Sequence, residues 1–263
     1  MSITVVLAQV SVCWNIDENL ETLSSVLNES RVGEVIALPE GMISGYDDEL
    51  SGLDTLEPDV VENAIREVSR LVQSRRVHLF CGTLQHADGA WSNSLLYFSP
   101  DGASPTYRKF NLATHERGRL TAGSELPIFE VDIDGDAVSV SPQLCRDVRF
   151  PDQWHCPARD GAMAFVFLSC AANPRESLQV WRSHLVSRAA ETQRYVIAVN
   201  VAHPLRNSPT IIVAPSGEVI AEVLGTESAT IRADLDMSLV SDWYISQQRS
   251  DVIKIEERPE NGR

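Results

Sequence analysis

Three residues in this chain have the types needed for covalent acyl transfer, and each follows an apolar run that reads as a strand. Glu40 follows Val35-Ile-Ala-Leu-Pro39, Lys109 follows the run from Pro105, and Cys145 follows Val138–Leu144. Strand ends are where reactive groups gather in α/β sheets, so the three can converge. A thiol at its ordinary pKa of about 8.5 is mostly protonated at neutral pH and needs a base. A partly desolvated carboxylate such as Glu40 can take that proton. A lysine cation such as Lys109 lowers the energy of the thiolate and, later, of an oxyanion. No histidine is required. Singly, the three have simpler explanations: a buried structural thiol, a solvated loop acid and a hairpin-end lysine.

The elements around Cys145 set its expected environment. Phe129 to Ser141 is β-rich and turns at Asp134-Gly135, a hairpin signal. Asp152 is placed to cap a following helix. Cys145 then lies where a strand ends and a helix begins, where backbone N–H groups and a helix's positive end favour thiolate.

Elsewhere the chain alternates strands and helices. Ile3–Val10 and Val35–Leu38 are strand-like, with a helix between them capped by Asp17 and running to about Ser30. A second helix spans about Asp59–Arg76, with Val61, Ala64, Ile65, Val68, Leu71 and Val72 as its apolar stripe. Val77–Thr83 is the next strand, and Ser94–Phe98 with Pro105–Lys109 reads as a hairpin around Pro100-Asp-Gly102. Phe110–Pro127 has no clear period and reads as a long loop with some helix, a feature usually tied to function. Then come a strand at Ala164–Leu168 and a helix at about Ser177–Gln193. Further strands follow at Val196–Asn200, Thr210–Ala214, Glu218–Leu224 and Thr230–Asp234. The pattern indicates one α/β domain over residues 1–263 whose strand order is not derivable. The polar tail beyond about Ser246 is expected to be mobile or to dock on a partner subunit.

Composition narrows the partners. With 22 Lys+Arg against 37 Asp+Glu the formal charge is −15, which argues against nucleic acid or an anionic membrane surface. The apolar run at Ile3–Val10 lacks a basic flank and is too short to span a bilayer. Five cysteines without a C-x-x-C pair suggest neither a disulfide framework nor a zinc site, so a reducing, cytoplasmic setting is expected.

Leu38-Pro39-Glu40, Tyr107-Arg108-Lys109 and Cys145-x-Asp147-x-Arg149-Phe150-Pro151 resemble, in order and spacing, the signatures of the nitrilase superfamily of carbon–nitrogen hydrolases. The likeness continues through Trp181, Arg188-Ala-Ala-Glu191, Tyr195-Val196 and Asn200 to Pro215-Ser-Gly217, nearly the whole chain. It departs at Asn111, where the family commonly has His, and at Arg146, where an aromatic is frequent. It departs again at Ser141-Pro142-Gln143, which lacks an expected glycine.

The resemblance implies a four-layer α-β-β-α sandwich, dimeric or of higher order through its helical layers. It implies Glu40 as base, Lys109 as oxyanion stabiliser and Cys145 as nucleophile, with Glu116 as a second glutamate, and no metal or organic cofactor. The reaction expected is hydrolysis of a small primary amide through a thioester, with the ω-amidase-like branch the nearest in pattern. Arg146 and Arg175 are candidate cations for a distal substrate carboxylate, and Tyr46, on the loop that Glu40 opens, is a candidate substrate contact. The alternatives are an N-carbamoyl hydrolase, a nitrilase, or a non-catalytic binding or assembly subunit that keeps the fold.

Overall fold

The structure, a computed structural model, describes residues 1–249. In chain order the elements are β1 (Ser2–Gln9), α1 (Ile16–Asn28), β2 (Val35–Ala37), α2 (Pro58–Arg75), β3 (His78–Ala87), β4 (Ala90–Phe98) and β5 (Thr106–Arg108). There follow β6 (Phe129–Ile133), β7 (Asp136–Leu144), α3 (Asp152–Arg159), β8 (Ala164–Ser169), α4 (Leu178–Thr192), β9 (Tyr195–Asn200), β10 (Thr210–Val213), β11 (Val219–Val223) and β12 (Ala229–Asp236). They form two six-stranded sheets, ordered β12-β1-β2-β3-β4-β5 and β11-β10-β9-β8-β7-β6. The central strands β1, β2 and β3 are parallel, as are β7, β8 and β9; their outer neighbours run antiparallel.

The layers follow from side-chain alternation. Val5 and Leu7 of β1, with Ala164, Val166 and Leu168 of β8, join a core cluster between the sheets. Their neighbours Val6 and Ala8 pack with residues of α1 and α2, and Phe165 and Phe167 pack with residues of α3 and α4. Strands buried on both faces read as near-continuous apolar runs, which is why they stand out without alternation. The α-β-β-α sandwich implied by the motifs is the architecture observed. Among the described residues no helix is long and apolar enough to cross a membrane.

Several local expectations are corrected. Helix α1 is capped by Asn15, whose side chain accepts from the N–H groups of Asp17 and Glu18, so Asp17 lies inside the first turn. Pro151, not Asp152, precedes α3, and no side chain caps it. Cys145 opens a short 3-10 helix, Cys145–Arg149, rather than an α-helix. Phe110–Pro127 holds turns and one isolated bridge, Arg117 to Leu120, instead of helix. There Glu116 turns its side chain inward to bond the Ala113 N–H at 2.6 Å. Strands β3 and β4 form an additional hairpin turning at Asp88-Gly89. Most of the tail expected to be mobile or dimer-bound, residues 250–263, lies outside the described residues.

Candidate active site

Parallel strands open the site at their C-terminal ends, the usual place for a site in such sheets. Glu40 follows β2, Cys145 follows β7 and Cys170 follows β8. The loop carrying Glu40 lies directly on β3: a Cβ at Gly82 would come within 2.5 Å of the Glu40 Cα and 2.6 Å of the Gly41 N, so only glycine admits the approach. Two backbone bonds pin the loop there, Gly82 N–H to the Pro39 carbonyl and Ile43 N–H to the Gly82 carbonyl, both 3.1 Å. Lys109 is placed similarly. Its N–H donates to the Asn93 carbonyl at 2.8 Å, and its own carbonyl accepts from the Gly123 N–H at 2.9 Å. A Cβ at Gly123 would fall 2.3 Å from the Arg108 carbonyl oxygen.

Glu40, Lys109 and Glu116 are fully buried and in direct contact. The Lys109 Nζ donates to Glu40 Oε1 and to Glu116 Oε1, each at 3.0 Å. Asn93 Nδ2 donates to the same two oxygens, each at 2.7 Å. Glu40 Oε2 accepts from the Cys170 N–H at 2.8 Å. Glu116 also accepts from the Tyr46 hydroxyl at 2.7 Å. Burial opposes the Lys109 charge, but the carboxylates of Glu40 and Glu116 hold its ammonium well above the ordinary lysine range. Burial likewise disfavours a charged Glu116, yet Lys109, Asn93, Tyr46 and the Ala113 N–H lower its pKa below the ordinary value. Glu116 is therefore an acceptor, and the Tyr46 proton goes to it. The other contact of that hydroxyl, 2.8 Å to His115 Nε2, is then donated by the ring nitrogen.

Cys145 takes a backbone φ of +42°, in the left-handed region that a residue with a Cβ normally avoids. Asp147 holds this turn from inside. Its carboxylate accepts from the Leu144 N–H at 2.9 Å, the Tyr107 hydroxyl at 2.7 Å and the Asn111 N–H at 3.1 Å. Its own carbonyl accepts from the Trp154 indole at 3.0 Å. Behind it, buried Arg188 donates to the Val148 carbonyl at 3.0 Å. Asn111 anchors the long loop to the Cys145 turn and also bonds Gln153.

The helix end expected to favour a Cys145 thiolate is outweighed by its surroundings. Burial and the neighbouring Glu40 carboxylate push the thiol well above its ordinary pKa, and Lys109 only partly offsets them. The five-residue 3-10 helix supplies too small a dipole to reverse this. At rest Cys145 is a neutral thiol beside a carboxylate and an ammonium. Such an arrangement can move a proton when a substrate carbonyl arrives, and no charge need be created beforehand.

A narrow cavity of about 40 Å³ reaches Cys145, lined among others by Tyr46, Asp48, His115, Arg146, Glu176 and Asn207. Of the two arginines proposed from sequence, Arg146 lines this cavity and Arg175 does not; Arg175 is exposed, its N–H donating to Asn173 Oδ1 at 3.0 Å. Arg146 Nη1 donates to Glu176 Oε1 at 3.0 Å, and Glu176 also accepts from Arg149 Nη2 at 2.8 Å and the Trp181 indole at 2.6 Å. Sequence reasoning missed Asn93 and His115. The available signal for Asn93 was Ser92-Asn93-Ser94, three polar residues interrupting a strand; all three are buried. Among the described residues no cluster of His, Cys, Asp and Glu could hold a metal ion.

A doubly layered sandwich with a thiol, a lysine and two glutamates meeting between its sheet ends defines a class. The carbon–nitrogen hydrolase family profile matches residues 4–245, and the chain belongs to that family. It is 30% identical over 217 residues to a 2-oxoglutaramate amidase of Bacillus subtilis (strain 168), covering 80% of each chain. It is 25% identical over 263 residues to an omega-amidase of Saccharomyces cerevisiae, covering 90% of this chain and 88% of that one. Among solved structures, an amidase from Nesterenkonia sp. superposes with a TM-score of 0.81 at 18% identity, covering 95% and 98% of the two chains.

Proposed function

We propose that this protein hydrolyses a small primary amide through a thioester on Cys145. Glu40 takes the thiol proton as the sulfur attacks the amide carbon, and the carbonyl π pair moves onto oxygen. The oxyanion is met by the third Lys109 hydrogen, which has no acceptor among the described residues. It is also met by the Arg146 N–H, which lies in the first turn of its short helix and has no carbonyl there to bond. Collapse breaks the C–N bond, Glu40 gives its proton to nitrogen, and ammonia leaves. Water, deprotonated by Glu40, attacks the thioester; the second oxyanion expels sulfur, which recovers the proton, and the acid departs. Glu116 acts through Lys109, fixing the ammonium between the two carboxylates.

The observation that carries this reading is Lys109, fully buried and shared at 3.0 Å between two carboxylates beside a neutral thiol. The narrow cavity favours a short acyl chain. Arg146 is the cation available to a distal carboxylate, as expected of an ω-amide, and the relatives named as 2-oxoglutaramate amidase and omega-amidase support the same class. We further propose that the protein works in the cytoplasm, all five thiols being free, and as a homodimer. Sedimentation as a single 29.0 kDa chain would remove the dimer.

Ammonia release from four probes tests the activity: an α-keto acid ω-amide, a neutral amide of equal length, a nitrile and an N-carbamoyl amino acid. The ω-amide should turn over fastest. Preference for the nitrile or the carbamoyl compound would replace the amidase reading, and no turnover of any probe would favour a non-catalytic role.

A further inference from the structure

Two glutamates facing one lysine need something more to keep them together. Among the described residues Lys109 is the one cation in contact with both, and like charges held close in a dry site disfavour each other's ionised form. A protonated Glu40 could not serve as base. Yet both carboxylates direct their Oε1 atoms at the same two groups, Lys109 Nζ and Asn93 Nδ2.

Asn93 is fully buried on β4, and each hydrogen of its amide goes to a different carboxylate at 2.7 Å. Its Oδ1 is buried without a partner. An orphaned carbonyl is unfavourable, and turning the amide over would be worse, since Oδ1 would then face two carboxylate oxygens. The orientation is therefore fixed by the acids it serves. We infer that Asn93 is the positioning residue that holds Glu40 and Glu116 together around Lys109, so that Glu40 stays aimed at Cys145. Its two neutral donors bond both acids without adding a second cation that would trap the base.

This inference rests on the assignment of Glu40 as the base for Cys145, and its test needs no amide substrate. The pH dependence of iodoacetamide labelling at Cys145 reads the state of the carboxylate pair. The groups facing that pair are Lys109, Tyr46, the thiols of Cys145 and Cys170, and the N–H groups of Ala113 and Cys170, with His115 one hydrogen bond further out. Asn93→Ala removes one donor from each acid, and the acid limb of the labelling profile should move up by about one pH unit. Asn93→Asp, of equal size, should move it further by placing a third carboxylate there. Asn93→Ser, retaining one donor, should lie between wild type and Asn93→Ala. A limb that stays in place in all folded variants, with only the rate lowered, overturns the inference. So does failure of all three variants to fold, because a positioning role leaves the sandwich intact. Wild type that labels normally but releases no ammonia from any amide would defeat the proposed activity and leave the shift to decide this inference separately.

Discussion

Removing the Asp147 carboxylate should damage both the fold and the Cys145 turn, and the structure sets the size. Asp147 is fully buried and accepts from the Leu144 N–H, the Tyr107 hydroxyl and the Asn111 N–H at 2.9, 2.7 and 3.1 Å. Asp147→Ala leaves those donors without an acceptor, and each buried orphan costs about 1–3 kcal/mol. Against this stands the burial that raises the Asp147 pKa, an unfavourable contribution that the alanine removes. The net loss should be about 3–5 kcal/mol, the cost of three orphaned donors less the relief of not burying a carboxylate. The Leu144 bond also holds Cys145 at its positive φ, a conformation costing an unrestrained residue about 1–2 kcal/mol. Iodoacetamide labelling of Cys145 should therefore change as the turn relaxes. Urea unfolding monitored by tryptophan fluorescence measures the first effect. A loss below about 1 kcal/mol, with labelling unchanged, would show that Asp147 does not hold the turn.

Three further substitutions test the assigned roles. Cys145→Ala should abolish turnover while the protein stays folded; turnover within about tenfold of wild type, ~1.4 kcal/mol, would reassign the nucleophile. Lys109→Ala should lower kcat by about 10²–10³ with a smaller change in KM, since its third hydrogen is used only once the oxyanion forms; a pure KM effect in steady-state assays would contradict that. Arg146→Ala should raise KM for a carboxylated ω-amide more than for a neutral amide of equal length, whereas Arg175→Ala, outside the cavity, should leave both near wild type. Equal KM changes on the two substrates would leave Arg146 bonded to Glu176 with no part in recognition.

The strands and helices were legible because their signals are local, while the sandwich they build was implied only by the family resemblance. Strands buried on both faces, such as Phe165–Leu168, announce themselves as apolar runs, and the stripe of α2 repeats at helical spacing. Strand order was not legible, since β12 pairs with β1 from Ser2–Asp236 to Gln9–Ala229, across nearly the whole chain. The motif residues Glu40, Lys109 and Cys145 can be named from sequence because strand ends carry them. Glu116 was reachable through the family resemblance. The roles of Asn93 and His115 depend on contacts at separations of 53 and 69 residues, and the polar run Ser92–Ser94 marks a buried polar site without naming its partners. At Cys145 the strand-end position suggested help from a helix dipole, while the larger contributions are burial and Glu40.

The same buried thiols make a prediction about alkaline stability. Cys81, Cys145 and Cys170 are buried, and in each case burial pushes the thiol up, with Glu40 adding to the effect at Cys145 and Cys170. In the unfolded chain the same groups titrate near 8.5. A folded pKa raised above the unfolded one gives stability that is fully present below the unfolded value and lost as pH climbs above it. Each thiol that ionises only after unfolding lowers the unfolding free energy by about 1.4 kcal/mol per pH unit beyond 8.5. Between pH 7.5 and 9.5 three such groups should remove about 4 kcal/mol. Cys81→Ala isolates the effect, because Cys81 packs with the helix-facing core cluster and has no part in the site. Its urea midpoint should fall less steeply over this pH range than that of wild type, by about one third of the slope. Identical slopes would mean that Cys81 ionises alike in both states, and burial would then not be what governs these thiols.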